Sequence, residues 1–151
     1  MLTDFILASL HHVAVFALMG LIVAELVIVS PEMNARALKR VAAIDLYFGV
    51  VAAIVVVFGV LRVIYGAKGY EYYIGNHVFW TKMLLFVIIG LLSIAPTQRY
   101  LAWGRRLRAD AAFRPEAADI RRVKLFIHIE AMLFLLIPIA AAAMARGYGA
   151  G

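Results

Sequence analysis

The residues of this chain best suited to do chemistry are ionisable side chains that interrupt long apolar stretches. They form two groups, one of three histidines with two basic side chains and one of three acids with a histidine. Imidazole nitrogens bind transition metals, and Arg and Lys bind carboxylates or phosphates. Burial of any such group in a bilayer is costly, so each is a candidate functional residue. The first group is His11, His12, Arg62, His77 and Lys82, and the second is Glu25, Asp45, His128 and Glu130.

Four apolar stretches carry all of these residues except His77, which lies at the edge of the third, and their lengths predict membrane-spanning helices. A helix needs ~20 residues to cross a hydrocarbon core of ~30 Å, and the stretches lack the two-residue alternation of barrel strands. The chain is 66% hydrophobic with a mean hydropathy of +0.94, more than a water-soluble globular surface tolerates. We therefore predict an all-α, integral membrane bundle in a single domain, 1–151, with spans at about 4–29, 41–65, 79–97 and 123–144.

Basic residues between the stretches predict the orientation. Eleven cations lie around the connections after spans one and three, against two on the other side. Positive-inside bias then places both connections in the cytoplasm and both termini on the outer side of the membrane, which in a bacterial inner membrane is the periplasmic side. The opening “MLTD” has no Lys or Arg, so the first stretch is expected to remain as a span rather than act as a signal peptide. The net charge of +6 lies at span ends, which argues against nucleic-acid binding.

The bilayer is the expected partner at both surfaces. The third connection, “RRLRADAAFRPEAADIRR”, should contact anionic lipid head groups, and span four should begin as a cytoplasmic helix with Pro115 in its first turn. Aromatic residues near span ends should form belts at the interfaces. The expected outer belt is Tyr70, Tyr72, Tyr73 and Trp80, and the inner belt is Tyr100 and Trp103.

Depth along the helices limits which histidines can share a metal centre. His11 lies ~10 Å into the first span, whereas His128 lies near the opposite face. The resulting gap of ~14 Å in a ~30 Å core makes these two residues a poor bis-histidine pair. His11 with His77 or His12 is geometrically easier, although the adjacent His11 and His12 differ by about 100° around the helix.

Helical periodicity predicts which side chains face the bundle interior. His11 and Glu25 are fourteen residues apart and share one stripe of span one. The stripes of the first three spans together predict an interior lined by His11, Glu25, Asp45, Lys82 and Ser93. Span two also carries a stripe of mostly small residues, which suits close helix packing in lipid. That small-residue stripe is Asp45, Gly49, Ala52, Val56 and Gly59.

Each ionisable side chain has a functional and a structural interpretation. His11 either ligates a metal or hydrogen-bonds across helices, while Arg62 and Lys82 either bind an anion or extend to the membrane surface. Glu25 and Asp45 are expected to pair with basic residues at the inner face. A carboxylate and histidine metal site is an alternative, although His128 and Glu130 should point to nearly opposite sides of span four. The basic partners would be Arg36, Lys39 and Arg40, and the metal ligands Glu25, Asp45, His128 and Glu130.

Several other chemistries lack the residues they need. Cysteine is absent, so a disulfide, a thiolate metal site and thiol catalysis are excluded. The chain has no Gly-rich phosphate loop, no HExxH pair and no nucleophile elbow. Its methionines are scattered, which argues against copper transport.

Particular strings resemble known families. “LHHVAVFALMGL”, “FWTKMLLFVIIGLLSIAPTQRYLAWGR” and “AAAMARGYG” resemble a bacterial inner-membrane family, domain-of-unknown-function family 2214, over essentially the whole chain. That likeness implies four spans and no assigned activity. “LHHVAV” and “WTKMLL” more distantly resemble the membrane protoporphyrinogen oxidases that carry haem b, and the copper-resistance D proteins share similar helices. In the oxidases a span-one histidine binds haem and a span-three lysine is essential, and those positions would be His11 and Lys82. The stretches “VAELVIVSPEMN” and “SIAPTQRY” depart from the oxidase pattern, which has further histidines there.

Two functions follow as hypotheses, and whether the protein is an enzyme stays open. The first is a haem-b-binding redox protein that moves electrons between a quinol or a porphyrin and an outer acceptor. His11 would be the ligand of the haem iron, Arg62 and Lys82 would hold the propionates, and His77 is a further cofactor-binding candidate. The alternative is a non-enzymatic accessory subunit or assembly factor that docks on a membrane-protein partner or on a second copy. Transport is less favoured because internal repeats and broken helices are not evident.

Overall fold

The fold is all-helical, as predicted. A computed structural model describes residues 2–149, and within them it contains five helices and no strand. The long helices are α1 (Leu2–Ile28), α2 (Ala35–Tyr65), α4 (His77–Ala109) and α5 (Ala117–Ala145), and α3 (Tyr70–Ile74) is a short helix between α2 and α4. All four long helices are long and apolar enough to cross a membrane.

The four long helices form an up-and-down bundle of two hairpins. The most extensive contacts join α1 to α2 and α4 to α5, and smaller contacts join α2 to α4 and α1 to α5, so α1 lies diagonal to α4. The start of α1, the end of α5 and the short α3 therefore lie at one end, called here the terminal end. The two hairpin connections lie at the other, called the basic end because it holds the arginines of both connections. The core between the ends includes Leu18, Ile22, Phe48, Val55, Ile89, Ile127 and Phe134.

Local capping explains where the helices begin. The Asn34 side chain accepts a hydrogen bond from the backbone N–H of Ala37 at 2.9 Å and starts α2. At the start of α5, Glu116 is the N-cap residue, so Pro115 precedes the helix instead of lying in its first turn. The proline restricts the residue before it to extended conformations, which separates α5 from the preceding loop.

The C-terminal tail closes the terminal end by returning to the start of α4. The buried Asn76 accepts from the N–H groups of Val78 and Phe79 and donates through Nδ2 to the carbonyl of Tyr148 at 3.1 Å. The N–H of His77 also bonds the carbonyl of Gly149 at 3.1 Å. Gly149 has φ +80°, and a Cβ there would lie 2.6 Å from Val78 Cγ2, so glycine is required on both grounds.

The small-residue stripe predicted on α2 is not a continuous packing face, and the prediction is wrong at two of its five positions. Gly49 and Val56 are exposed, and a Cβ added to Gly49 would meet nothing within 4 Å. The buried side chains of α2 include Phe48 and Val55, one position before each of those residues. Large apolar side chains therefore face the core and turn the small ones outward. Ala52 still packs against the core, and Gly59 makes a close approach to α1.

Candidate functional site

Three of the predicted site residues line one cavity in the terminal half of the bundle. His11 reaches it from α1, Arg62 from α2 and Lys82 from α4. The cavity has a volume of about 320 Å³. It opens on the seam between α2 and α4, where lining residues Val60 and Trp80 are half-exposed. The remaining wall is mainly apolar and includes Val15, Val55, Val63, Tyr73, Phe79, Phe86, Phe134, Ile137 and Met144.

His11 is held by a hydrogen bond between helices. Its Nδ1 lies 3.1 Å from the backbone carbonyl oxygen of Val55, and because a carbonyl only accepts, Nδ1 carries the hydrogen. Gly59 makes room for the ring, since a Cβ there would lie 3.3 Å from His11 Cε1. The hydrogen bond between helices is therefore present, and it leaves the lone pair of Nε2 available. Metal-binding histidines commonly donate their second ring nitrogen to a carbonyl in this way.

The two cations of the cavity have no acidic partner. Arg62 Nε is buried and unbonded within residues 2–149, and Lys82 Nζ lies 5.6 Å from the centroid of the Phe79 ring. Asp4, on the first turn of α1, bonds the N–H of Ala67 instead. Among the described residues the one ion pair joins Arg99 to Asp119, at the basic end. The cavity lined by His11, Arg62 and Lys82, called here the basic cavity although it lies in the terminal half, therefore presents uncompensated positive charge.

The other two histidines of the first group are not brought to this cavity. His77 begins α4 with an exposed side chain and does not line the cavity. His12 is exposed too, and its Nδ1 lies 2.6 Å from the carbonyl oxygen of Ala8, one turn earlier in the same helix. Because neighbouring helical residues differ by about 100° in direction, turning His11 inward directs His12 outward. Within the described chain, His11 is the one histidine on the cavity wall.

The acids of the second group gather in the other half of the bundle. The Tyr100 hydroxyl donates to Glu25 Oε2 at 3.2 Å, and the Thr97 hydroxyl donates to Asp45 Oδ1 at 2.7 Å. Glu130 is buried, and its Oε1 has no partner among the described residues. All four long helices thus contribute to this acidic cluster, in which hydroxyl groups satisfy two of the three carboxyl groups.

The predicted pairing of Glu25 and Asp45 with basic residues is wrong. Neither acid forms an ion pair within residues 2–149. The three proposed partners lie on the first turns of α2 with exposed side chains, so they point into solvent or head groups instead of into the bundle. These residues are Arg36, Lys39 and Arg40.

The alternative of a carboxylate and histidine metal site is not supported either. No group of three His, Cys, Asp or Glu residues among positions 2–149 is arranged to hold a metal ion. His128 is exposed, and its Nδ1 lies 2.7 Å from the carbonyl oxygen of Lys124. Glu130 is buried, so the prediction that these two residues face opposite sides of their helix is confirmed.

The two hydroxyl donors of the acidic cluster, Tyr100 and Thr97, were not foreseen. Tyr100 was expected in an interfacial belt with Trp103, but both side chains are buried, 2% and 3% exposed. Tyr73 of the other expected belt is buried as well, against Phe79. A tyrosine a few residues beyond the apolar part of a helix can lie in an interfacial aromatic belt or form a buried hydrogen bond, and its sequence position does not distinguish the two. The partner, Glu25, is 75 positions away in sequence, so local pattern carries no signal for the bond.

The basic cavity and the acidic cluster are separate. His11 and Glu25 are fourteen positions apart on α1, which is about 21 Å at helical rise. Between them, Leu18 and Ile22 are each 1% exposed and belong to the apolar core. A direct interaction between the two sites is therefore excluded by distance.

Comparison with known proteins agrees with the membrane fold. No curated protein and no solved structure shows significant similarity to the chain. The profile of one protein family, described as “Predicted membrane protein (DUF2214)”, matches residues 3–149. With nearly the whole length matched, the chain belongs to the DUF2214 family of predicted membrane proteins.

Proposed function

We propose that the basic cavity binds haem b and that the protein is a redox protein of the bacterial inner membrane. One observation carries the proposal: two cations without acidic partners flank a histidine whose Nε2 is available, on the wall of one apolar cavity. An unpaired charge within a membrane is costly, and an anionic ligand would compensate it. A ligand suited to this cavity is largely apolar, carries carboxylates and accepts an imidazole.

The residues present fit such a group. His11 would bind the iron through Nε2, while its bond to the Val55 carbonyl maintains the tautomer and orients the ring. Arg62 and Lys82 would hold the propionates by charge-assisted hydrogen bonds. The apolar wall, which includes Phe86 and Phe134, would exclude water. When bound, the haem would supply one-electron redox chemistry.

The size and opening of the cavity bear on the proposal. Its volume of about 320 Å³ is at the small end of the range for ligand sites, about 300–1,000 Å³. The opening between α2 and α4, beside Val60 and Trp80, lets part of a larger ligand remain outside the cavity. A quinol or a porphyrin could approach from the membrane through the same opening and exchange electrons there.

The test is an absorption spectrum of the detergent-purified protein, first air-oxidised and then reduced with dithionite. Cells supplied with a haem precursor should yield protein with a Soret band and sharpened bands after reduction. His11→Ala should lose most of the haem while circular dichroism still reports a folded helical protein. His12→Ala, a change at the adjacent exposed histidine, should retain it. Equal haem content in wild type and His11→Ala would refute the ligand assignment.

A second candidate function is that of an accessory subunit or assembly factor. The groove between α2 and α4 favours it, because Asp45 and Thr97 line that groove beside the exposed Gly49 and Gly90. Polar groups beside an open seam in a membrane protein suit a covering helix from a partner or a second copy. A featureless spectrum, together with a larger complex that is lost on Gly49→Leu, would support this function. Gly20→Leu, at an exposed glycine of α1 with nothing within 4 Å, is the control.

A further inference from the structure

The seam between α4 and α5 forms a second groove, at the basic end. Its volume is about 580 Å³, and it is distinct from both the basic cavity and the acidic cluster. Three arginines lie along it, together with a floor of small and apolar side chains. The lining residues are Ala95, Gln98, Arg99, Leu101, Ala102, Arg105, Arg122, Val123 and Phe126.

The chemistry of this groove changes along the membrane normal. Helix α4 runs toward the basic end, so Arg105 lies about 15 Å beyond Ala95, ten residues earlier. Helix α5 runs the other way, and Phe126 lies one turn deeper into the bundle than Arg122. Positive charge is therefore concentrated at the surface end of the groove, and apolar side chains continue toward the hydrocarbon core. A phospholipid has the same order of chemical groups, with a negatively charged phosphate at the surface and an apolar acyl chain below it.

Two of the three arginines are free to bind an anion. Arg99 makes a long contact to Asp119, 3.5 Å between Nη1 and Oδ2, and so is partly compensated. Arg105 and Arg122 form no ion pair within the described residues, and both are exposed. A guanidinium group presents donors in a planar fork that matches phosphate oxygens.

Two other arginines of the same connection are engaged locally, whereas Arg108 and Arg121 are exposed and form no ion pair within the described residues. Arg106 lies over the Phe113 ring, 5.7 Å from its centroid, and Arg114 donates to the carbonyl oxygen of Phe113 at 2.8 Å. The groove differs from the rest of this basic surface in its floor of small and apolar side chains. It combines unpaired guanidinium groups with a floor that a soluble anion would not use.

We propose that this groove binds one anionic phospholipid, with its phosphate on Arg105, Arg122 and Arg99 and an acyl chain along Ala95, Ala102 and Phe126. Basic pockets between helices at a membrane surface are suited to anionic head groups. The small side chains of Ala95 and Ala102 leave room for the chain, and Phe126 supplies apolar contact. The inference needs only a membrane around the bundle and does not depend on haem binding.

The experiment uses the full-length, delipidated protein in a neutral detergent. Thermal unfolding and native mass spectrometry would be followed while phosphatidylglycerol, or phosphatidylcholine with the same acyl chains, is added. Phosphatidylglycerol should raise the melting temperature and remain bound as one copy, and phosphatidylcholine should do neither. The variant Arg105→Gln/Arg122→Gln should weaken the phosphatidylglycerol effect roughly tenfold or more. Equal responses to the two lipids would overturn the proposal.

Two controls separate a built site from general attraction. Arg108→Gln/Arg121→Gln removes the same charge from two exposed arginines that do not line the groove, and it should leave the response unchanged. An equal loss in this control variant would show diffuse electrostatics and refute the site. Ala102→Trp keeps every charge and fills the floor, so it should also weaken binding. Equal stabilisation by inorganic phosphate, or an unchanged response in Ala102→Trp, would refute the acyl-chain contact.

Discussion

The Tyr100 hydroxyl donates a hydrogen bond to Glu25 Oε2 across the diagonal of the bundle, at 3.2 Å. The two helices involved, α1 and α4, belong to different hairpins and are not packed neighbours. The bond from Thr97 to Asp45, 2.7 Å between oxygens, joins the same two hairpins one turn away on α4. Polar bonds of this kind hold helices together where lipid removes the hydrophobic driving force between them.

Removal of the Tyr100 hydroxyl should weaken the association of the two hairpins. Tyr100→Phe leaves the buried Glu25 without its donor, and we expect the free energy of unfolding to fall by about 0.5–2 kcal/mol. Equilibrium unfolding in mixed detergent micelles measures this free energy. Tyr47→Phe, at a tyrosine that is 61% exposed, should have little effect. A double-mutant cycle with Glu25→Gln should show coupling, and additive effects would contradict the bond.

Replacement of Glu130 should stabilise the protein. Its Oε1 is buried without a partner in the described chain, and an unsatisfied buried oxygen costs about 1–3 kcal/mol. Glu130→Leu removes that cost and retains most of the side-chain volume, so the free energy of unfolding should rise by roughly 1 kcal/mol. The exposed Glu32 provides the control, Glu32→Leu, which should not produce the gain. A loss of stability in Glu130→Leu would show that the carboxyl group has a partner in the membrane.

Substitution by alanine should have different effects on stability at Gly59 and at Gly49. A Cβ at Gly59 would lie 3.3 Å from His11 Cε1, so the imidazole must move and its bond to Val55 should weaken. We expect Gly59→Ala to lower haem content if His11 is the ligand, and to lower the melting temperature. Gly49→Ala meets nothing within 4 Å and should be neutral or slightly stabilising, because alanine is the better helix former. Identical behaviour of the two variants would argue against the close approach of α1 and α2 at Gly59.

The unpaired cations should lower the stability of the ligand-free protein and raise its affinity for an anionic ligand. Lys82→Met removes an uncompensated charge, so the ligand-free protein should gain stability, while affinity for an anionic ligand should fall. Melting temperatures with and without added haem measure both effects. Lys39→Met, at an exposed lysine of the basic end, should change neither value appreciably. A loss of stability in ligand-free Lys82→Met would refute the view that this charge lacks a partner.

The predicted orientation can be tested with introduced cysteines, since the chain contains none. A membrane-impermeant thiol reagent should label Lys68→Cys in intact spheroplasts, because the terminal end is predicted to be periplasmic. Glu116→Cys, at the basic end, should be labelled only after lysis. The reverse pattern would show that the cation count misassigns the two sides. Both positions are exposed, so access to the side chain does not limit the comparison.

The sequence alone was sufficient to predict the class of fold and to identify the three cavity residues that the structure brings together. His11, Arg62 and Lys82 were identifiable because an ionisable group within an apolar helix is conspicuous wherever its neighbours lie. His77 was grouped with them although it lies at the membrane interface, and its position at the start of α4 keeps it outside the cavity. The partners of Glu25 and Asp45 were predicted wrongly, since nearby cations in sequence seemed closer than hydroxyl groups on another hairpin.

The length and apolar character of each stretch determine that it is a helix that spans a membrane, because every backbone group must be satisfied within its own segment there. The rotation of each helix about its own axis is decided by the tertiary structure, because it depends on which side chains pack against the other helices. On α2 that packing turned Phe48 inward and Gly49 outward, and so opened a groove where close packing was expected. The same packing placed Tyr100 beside Glu25, 75 residues away, and left one oxygen of Glu130 without a partner within residues 2–149.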